Sequence, residues 1–371
     1  MKVGIPREVK DNEYRAAITP AGVHELVRLG QTVLIEHDAG VGSSITDSEF
    51  VAAGAQILSS ADDVWAEADL VLKVKEPIAS EYHRMRADQI LFTFLHLAAS
   101  LECTQALLDS GITAVAYETV QAADGSLPLL APMSEVAGRM APQAGAHFLE
   151  RGAGGRGVLM GGAPGVYPAK VVVLGAGISG SNAAWIAQGM EAEVYLLDNN
   201  VGKLREVDRI HKGRIQTVAS NSFEVSRAVV EADLVIGAVL VPGALAPKLV
   251  TEDMVRAMKP GAVLVDISVD QGGCFETTHP TTHSDPVYVV HDVLHYCVAN
   301  MPGAVPHTST YALTNVTLPY AVALATAGLA PACRADPALA RGVNVVAGQI
   351  TYAPVGEAHS LPTATLTDIL S

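Results

Sequence analysis

The sequence predicts a two-domain α/β protein in which both domains are built on parallel sheets. Strand-like apolar runs alternate with helix-like segments along most of the chain, which is typical of βα units. A chain of 371 residues is longer than one hydrophobic core usually supports, so two domains are expected. Apolar residues make up 49% and charged residues 17%, which suits sheets covered on both faces and excludes a disordered chain.

The first part of the chain has this alternation up to about residue 127. Thr19-Pro20 marks a helix start with proline in the first turn, and Thr46 to Glu49 has the spacing of a capping box that opens the next helix. Further helices are expected at Asp62 to Glu67 and Leu101 to Ser110. The predicted strands are Lys2 to Pro6, Thr32 to Glu36, Gln56 to Leu58, Leu70 to Lys75, Ile90 to Leu97 and Ile112 to Tyr117.

The middle of the chain contains the strongest pattern. A proline-punctuated crossing from Ser126 leads into a helix that runs to about Arg151, and the glycine-rich tract Gly152 to Gly165 is expected to be a flexible surface connection. Beyond Asp198, helices are predicted near Val201 to His211, Phe223 to Glu231 and Thr251 to Met258. Strands are predicted near Ile215 to Ala219, Leu234 to Val239, Ala262 to Ile267 and Val287 to Val290.

Val171 to Asp198 predicts strand, turn, helix and strand. Gly175-Ala-Gly177-Ile-Ser-Gly180 follows the first strand, and Asp198 ends the second. A glycine-rich loop can merely turn the chain, but this context favours a dinucleotide site, with Gly175 for the tight turn, Gly177 for close approach of the pyrophosphate and Gly180 for helix packing. A carboxylate at Asp198 favours NAD over NADP, although Lys203 could still accommodate a phosphate. The middle domain is therefore predicted to be a Rossmann-like, doubly wound NAD domain.

The segment Thr308 to Cys333 contains no charged residue. Its Pro319 and Pro331 and its many Thr and Ala residues make it a poor membrane span, so we expect a helix packed within one subunit or between subunits, the latter hinting at a homo-oligomer. We expect this region to return to the first domain and the tail from Ala335 to be weakly patterned. The predicted domains are residues 1–127 with 307–371, a discontinuous α/β substrate domain, and residues 128–306.

Net charge and cysteine usage limit the partners and the compartment. A formal net charge of −15 opposes binding to nucleic acid or anionic lipid, so a small anionic substrate would need a local cluster of cations. The four cysteines lack metal-finger spacing and read as reduced thiols. The first residues, without a signal or transit pattern, favour a cytoplasmic protein.

Four residues at strand ends or in loops are candidates for substrate binding or acid/base catalysis. Each of them also has a plainer interpretation. Arg15 could bind a carboxylate or be a solvated loop residue, and Lys75 could bind a carboxylate or carbonyl or pair with Glu76. His96 could be an acid/base or a core residue, and Asp270 could serve a proton relay or form a turn.

His291 and His295 are four residues apart, the spacing of metal ligands on a helix. The surrounding residues read as strand, and no third ligand has a matching spacing. We therefore assign no metal.

Several strings together resemble the bacterial L-alanine dehydrogenase family, over nearly the whole chain up to about Pro337. They are Gly4 to Glu8, Asn12 to Pro20, Leu72 to Pro77, Thr93 to His96, Gly175 to Gly180, Asp266 to Gly273 and Ala312 to Tyr320.

The resemblance implies two α/β domains, NAD, and reversible oxidative deamination of L-alanine to pyruvate and ammonium, commonly in a hexamer, with glyoxylate as a possible further substrate. By the same resemblance Arg15 and Lys75 would bind substrate, and His96 and Asp270 would be the acid/base pair. Hydride would pass from NADH to an iminium formed from pyruvate and ammonia, with closure of the domains excluding water. The implied cofactor-binding residues are Ser134, Gly175, Gly177, Ile178, Ser179, Gly180, Asp198, Lys203, Ser220, Val239, Leu240, Ile267, Ser268, Val269, Asp270, Val298, Ala299, Asn300 and Met301.

Three alternatives remain open at this point. The chain is also similar to the NAD-binding component of a proton-translocating transhydrogenase, against which Lys75, His96 and Asp270 argue together. A non-catalytic NAD sensor would keep the fold. A dehydrogenase for lysine-sized amino acids fits less well, because two cations near one small site favour a short 2-oxo acid.

Overall fold

A computed structural model describes residues 1–239 and 246–370 of the chain. They form two compact units, Met1–Met133 with Val305–Ser371 (unit 1) and Ser134–Ala304 (unit 2). The cofactor residue predicted at Leu240 lies outside the described residues.

The N-terminal part of unit 1 alternates strands and helices. Thr19 caps the first helix by accepting a hydrogen bond from the backbone N–H of Gly22, and Thr46 and Glu49 form the predicted capping box. The elements are β1 (Lys2–Ile5), α1 (Pro20–Arg28), β2 (Thr32–Glu36), α2 (Asp47–Ala52), β3 (Gln56–Leu58), α3 (Ala61–Glu67), β4 (Leu70–Leu72), β5 (Ile90–Thr93), α4 (Leu101–Ser110) and β6 (Thr113–Ala116).

Unit 2 follows the same alternation after a long helix that begins at the boundary between the units. The elements are α5 (Ala131–Leu149), β7 (Lys170–Leu174), α6 (Ile178–Gly189), β8 (Glu193–Asp198), α7 (Val201–His211), β9 (Gln216–Ala219), α8 (Ser222–Val230), β10 (Leu234–Gly237), α9 (Glu252–Arg256), β11 (Val263–Asp266), β12 (Val287–Val290) and β13 (Val293–Tyr296).

The C-terminal part of the chain belongs to unit 1. Its elements are α10 (Pro306–Ala327), α11 (Leu329–Ala335), α12 (Pro337–Gly342), β14 (Val343–Val346), β15 (Gln349–Ile350), α13 (Ala353–His359) and α14 (Leu366–Ile369). The tail is therefore regular in structure, although its weak sequence pattern predicted none of its helices and strands. Its strands are short, and β14 pairs antiparallel with β6, a long-range contact that local sequence patterns do not reveal.

Both sheets are doubly wound, which confirms the predicted fold class. The first six strands of unit 1 are ordered β3-β2-β1-β4-β5-β6, with β14 and β15 added beyond β6. In unit 2 the order is β9-β8-β7-β10-β11-β13, with β12 antiparallel to β13 at the edge. This 3-2-1-4-5-6 order is that of dinucleotide-binding folds, whose ligands bind beyond the carboxyl ends of the strands where the winding reverses. That switch point lies between β1 and β4 in unit 1, and between β7 and β10 in unit 2.

Both faces of the second sheet are covered. Alternate residues of β7 enter different apolar layers, Val171 and Val173 on one face and Val172 and Leu174 on the other. All four are fully buried. A strand buried on both faces reads as a continuous apolar run, which explains why the sequence identified β7 clearly.

Two predicted strands are too long. Neither β4 nor β5 continues to the functional residue placed on it, so Lys75 and His96 lie in loops, and Lys73 and Lys75 do not share a strand face. The N–H of Val74 donates to the Glu8 carboxylate at 2.6 Å instead of to a neighbouring strand. The predicted strand residues Leu95 and His96 likewise donate their N–H groups to a carboxylate, that of Glu118.

The glycine-rich tract is partly packed rather than a free surface loop. The backbone N–H of Arg156 donates to the Gly261 carbonyl at 3.0 Å, and a Cβ on Gly155 would lie 2.1 Å from the Phe148 carbonyl oxygen. Glycine at position 155 therefore serves close packing against α5.

The uncharged segment forms most of α10 and α11, and α10 buries one face within unit 1. Its hydroxyl groups have partners there: Thr310 Oγ1 lies 2.7 Å from Ser43 Oγ and accepts a hydrogen bond from the N–H of Ala16 at 3.0 Å. Within the ranges 1–239 and 246–370, no helix combines the length and apolar character needed to cross a bilayer.

Candidate active site

The candidate substrate residues follow neighbouring strands of the first sheet. Arg15 lies in the loop after β1, Lys75 follows β4, and His96 follows β5. Because β1, β4 and β5 are parallel neighbours, all three residues lie beyond the carboxyl ends of these strands. Arg15 and Lys75 lie at the switch point between β1 and β4, and His96 follows the next strand.

Arg15 is a buried residue, so its interpretation as a solvated loop arginine is wrong. Its Nε–H and Nη2–H donate to the two oxygens of the Glu13 carboxylate at 2.6 and 2.5 Å, and its Nη1–H faces Met133 Sδ at 3.0 Å. The Glu13 side chain is fully buried. Burial raises the pKa of Glu13, but the hydrogen bonds and charge of Arg15 outweigh burial and hold that pKa below its usual value.

Lys75 is half-buried. Its plainer interpretation, an ion pair with Glu76, is wrong. Among the described residues, no carboxylate lies within 4 Å of its ammonium group. Burial lowers the pKa of Lys75, and the positive charge of Arg15 lowers it further. A cation in this position gains from binding an anion.

A buried ion cluster holds the segment that carries Lys75. The Lys73 ammonium donates to Glu8 at 3.1 Å and to Glu81 at 2.9 Å, and all three side chains are almost fully buried. The second oxygen of each carboxylate accepts a backbone N–H, from Val74 and Ile78 respectively. The backbone is therefore fixed on both sides of Lys75.

His96 is exposed, so its alternative interpretation as a core residue is wrong. Its Nδ1 lies 3.3 Å from a Glu76 oxygen, and its backbone N–H donates to Glu118 at 2.6 Å. Its φ of 50° lies in the left-handed region, and the contact with Glu118 helps to hold it there. Burial raises the pKa of Glu76, but the hydrogen bond and charge of His96, together with Lys10, lower it to about 2. An ionised Glu76 favours the tautomer that carries its proton on Nδ1, so Nε2 is left to exchange protons.

The glycine motif of unit 2 has the geometry of a pyrophosphate cradle. Gly175 has a φ of 102°, and a Cβ on Gly180 would lie 1.7 Å from the Gly175 carbonyl oxygen. A Cβ on Gly177 would meet no atom within 4 Å. No side chain caps the N-terminus of α6, whose N–H groups suit a phosphate.

Asp198 ends β8 beside this turn. Its Oδ2 accepts the N–H of Ala176 at 2.7 Å and its Oδ1 accepts that of Asn200 at 2.7 Å. The Lys203 ammonium lies 3.9 Å from Oδ2. These bonds fix the carboxylate at the position where dinucleotide-binding folds contact the ribose.

The other predicted cofactor residues of unit 2 follow strand ends, apart from Ser134, which lies in the first turn of α5. Ser268 Oγ donates to the Val239 carbonyl at 2.7 Å, the N–H of Ser220 to the Asp198 carbonyl at 3.0 Å, and the N–H of Asn300 to Asp270 at 3.4 Å. Ile178 and Ser179 begin α6, Ile267 to Asp270 follow β11, and Val298 to Met301 follow β13. These residues and the glycine turn fit a dinucleotide.

The carboxylates that surround the candidate site were not predicted from the sequence: Glu13, Glu8, Glu81 and Glu118. Glu118 follows the end of β6 as His96 follows β5, and this position was the available signal. Glu76 was considered only as a partner of Lys75.

His291 and His295 lie on different local structures, which agrees with the strand-like pattern of the residues around them. His291 is in a turn with a φ of 51°, and His295 is buried on β13. Its Nε2 lies 2.7 Å from Thr277 Oγ1, and its Nδ1 lies 3.0 Å from the Val293 carbonyl oxygen. Both ring nitrogens therefore have hydrogen-bond partners within unit 2. Burial lowers the pKa of His295 to about 4.

This histidine is expected to make folding sensitive to acid. An unfolded histidine titrates at about pH 6.5, so below that pH the unfolded state binds a proton that the native state excludes until about pH 4. Stability is lost as the pH falls across this window, by up to about 3 kcal/mol. Urea unfolding between pH 4 and 7 should show a shallower acid decline for His295→Gln than for the wild type. An equal decline in the two proteins contradicts the assignment, and exposed His147→Gln is the matched control.

Comparison with known proteins gives one family for both parts of the chain. Residues 4–137 match the family model described as alanine dehydrogenase/PNT, N-terminal domain, and residues 141–353 match the corresponding C-terminal domain.

Full-length relatives agree with this assignment. Alanine dehydrogenase of Mycobacterium tuberculosis is 65% identical over 94% of each chain, and that of Halomonas elongata is 55% identical over 97% of each chain. A solved L-alanine dehydrogenase covers 97% of this chain and 99% of its own, with a TM-score of 0.95 and 51% identity. A solved transhydrogenase from Sinorhizobium meliloti covers 95% of this chain and 99% of its own, with a TM-score of 0.80 and 26% identity.

Proposed function

The chain belongs to the alanine dehydrogenase family, and on that premise we propose that its sites catalyse the reversible, NAD-dependent oxidative deamination of L-alanine to pyruvate and ammonium. It is an oxidoreductase, an amino-acid dehydrogenase that uses a pyridine nucleotide. The observation that carries the assignment of residues is that Arg15, Lys75 and His96 follow three neighbouring parallel strands of one sheet, at and beside its switch point.

Unit 1 supplies the groups that bind and protonate the substrate. In the direction of amination, Arg15 binds the carboxylate of pyruvate and Lys75 binds its carbonyl oxygen. His96 delivers and removes protons through Nε2 while ammonia adds and water leaves, since Glu76 faces Nδ1. Asp270 of unit 2 is the second acid/base group.

Unit 2 supplies the cofactor residues given above. The nicotinamide carries the hydride. The Gly175 to Gly180 turn and the start of α6 bind the pyrophosphate, and Asp198 binds the ribose hydroxyls. The fixed carboxylate of Asp198 repels a 2′-phosphate, which supports NAD as the cofactor, and the nearby Lys203 allows residual use of NADP.

We also propose a cellular compartment, an oligomeric state and a further substrate for the protein. All four cysteines are buried free thiols, which supports a reducing compartment such as the cytoplasm. The family resemblance supports a homo-oligomer, a hexamer, which light scattering coupled to size exclusion measures directly. Glyoxylate is proposed as a further substrate on the same basis.

The test of function is oxidation of NADH by the purified protein. We expect the absorbance of NADH to fall only when pyruvate and ammonium are both present, and the reverse reaction to require L-alanine. The ratio kcat/KM should favour NADH over NADPH by at least about tenfold, because the Asp198 carboxylate repels the 2′-phosphate of NADPH and about 1.4 kcal/mol of such repulsion corresponds to a factor of ten. Tight NADH binding without any turnover would contradict the proposed reaction and favour a nucleotide-binding module.

A further inference from the structure

Glu13 is a carboxylate among the cations of the candidate substrate site. It accepts hydrogen bonds from the Arg15 Nε–H at 2.6 Å and Nη2–H at 2.5 Å, and from the Arg15 backbone N–H at 3.1 Å. The side chains of Glu13 and Arg15 are 0% and 2% exposed. Water therefore screens this pair weakly, and its charges act on whatever binds beside it.

Lys75 lies in the same electrostatic environment. After burial, the charge of Arg15 is the largest influence that lowers the pKa of Lys75, while Glu76 and Glu13 act in the opposite sense and Lys10 in the same sense. The loops are also joined directly, since Lys10 in the loop after β1 forms an ion pair with Glu76. That pair is neutral as a whole. Among the charged groups that act on Lys75, Arg15 and Glu13 remain, and together with Lys75 itself they sum to one positive charge.

We propose that Glu13 is a specificity-determining residue that holds the substrate site at one net positive charge and so selects monocarboxylic over dicarboxylic 2-oxo acids. This inference rests on the substrate site proposed above. Bound pyruvate, a monoanion, brings the sum of charges to zero. A dianion leaves one negative charge in excess at a site with little water, and an uncompensated buried charge is costly.

A purely structural role for Glu13 makes a different prediction. If the carboxylate only orients the guanidinium plane of Arg15, its removal weakens monoanions and dianions by similar factors. If it sets the charge, its removal favours a dianion more than a monoanion, because the added positive potential acts on two negative charges instead of one. The ratio of two affinities therefore separates the roles, whereas the loss of activity alone does not.

Oxamate and oxalate are suitable probes because they have nearly the size of pyruvate and carry one and two negative charges at neutral pH. Their inhibition constants against pyruvate are measured with NADH present, and calorimetry measures their binding directly. We expect the ratio Ki(oxalate)/Ki(oxamate) to be at least tenfold lower in Glu13→Gln than in the wild type. An unchanged ratio overturns the proposal.

Two variants control for other effects. Glu25→Gln removes a partly exposed carboxylate of α1 that pairs with Arg28, and its ratio should equal that of the wild type. The double variant Glu13→Gln with Arg15→Gln restores the net charge of one while removing the ion pair. Its affinities should be weak but its ratio should return towards the wild-type value, and a ratio that stays with Glu13→Gln overturns the proposal.

Lys75→Gln keeps the proposal testable if the Glu13 variant does not fold. It lowers the sum of charges to zero, so the ratio should rise at least tenfold, and no rise overturns the proposal. If neither probe binds the wild-type protein with NADH, the substrate site itself is wrong and the inference falls with it. If both probes bind but the ratio Ki(oxalate)/Ki(oxamate) does not change with the charge of the variants, only the role of Glu13 is refuted.

Discussion

Replacing His96 by asparagine is expected to lower kcat by about 10²–10⁴-fold, because the variant loses the group that exchanges protons with the reacting atoms. Asparagine is chosen because it tolerates the left-handed conformation that His96 adopts, with a φ of 50°. The backbone N–H of residue 96 can then still donate to Glu118. Backbone strain therefore does not add to the loss of the imidazole.

The affinity for NADH separates this effect from unfolding. The proposed cofactor residues all lie outside the segment that carries His96, so the dissociation constant measured by fluorescence titration should stay within about twofold of the wild type. His24→Asn replaces an exposed helical histidine by a residue of similar helix propensity and should leave kcat unchanged. A fall in kcat of less than tenfold in His96→Asn contradicts the acid/base role.

The sequence predicted the architecture well where local patterns carry the information. β7 reads as an apolar run because both of its faces are buried, and α2 begins at a capping box that needs only Thr46 and Glu49. The glycine turn between Gly175 and Gly180 is similarly local. The fold class could be predicted because such short-range signals recur along the chain. The strand order of the structure confirms it.

The environment of the candidate site could not be predicted in the same way. Whether Arg15 is solvated or buried depends on Glu13 and on Met133, a residue 118 positions away in the chain. The ends of β4 and β5 depend on the carboxylates of Glu8 and Glu118, which compete for backbone N–H groups. Periodicity contains no information about such long-range hydrogen bonds, so both strands were predicted too long.

Two glycines of the same turn are expected to respond differently to one added methyl group. In Gly177→Ala the new Cβ meets no protein atom within 4 Å, so the fold should be retained, but the methyl group occupies the space that the pyrophosphate approaches. In Gly180→Ala the Cβ would lie 1.7 Å from the Gly175 carbonyl oxygen, so α6 must move away from β7. The first variant should lose cofactor affinity and the second should lose stability.

The two losses are measured independently. We expect the dissociation constant for NADH to rise at least tenfold in Gly177→Ala with an unchanged urea midpoint, and Gly180→Ala to lose about 3 kcal/mol or more, as large core clashes do. Gly189→Ala near the end of the same helix is the matched control, since its Cβ also meets no atom within 4 Å and lies away from the turn. NADH affinity in Gly177→Ala equal to that of Gly189→Ala would show that the pyrophosphate does not lie against this turn.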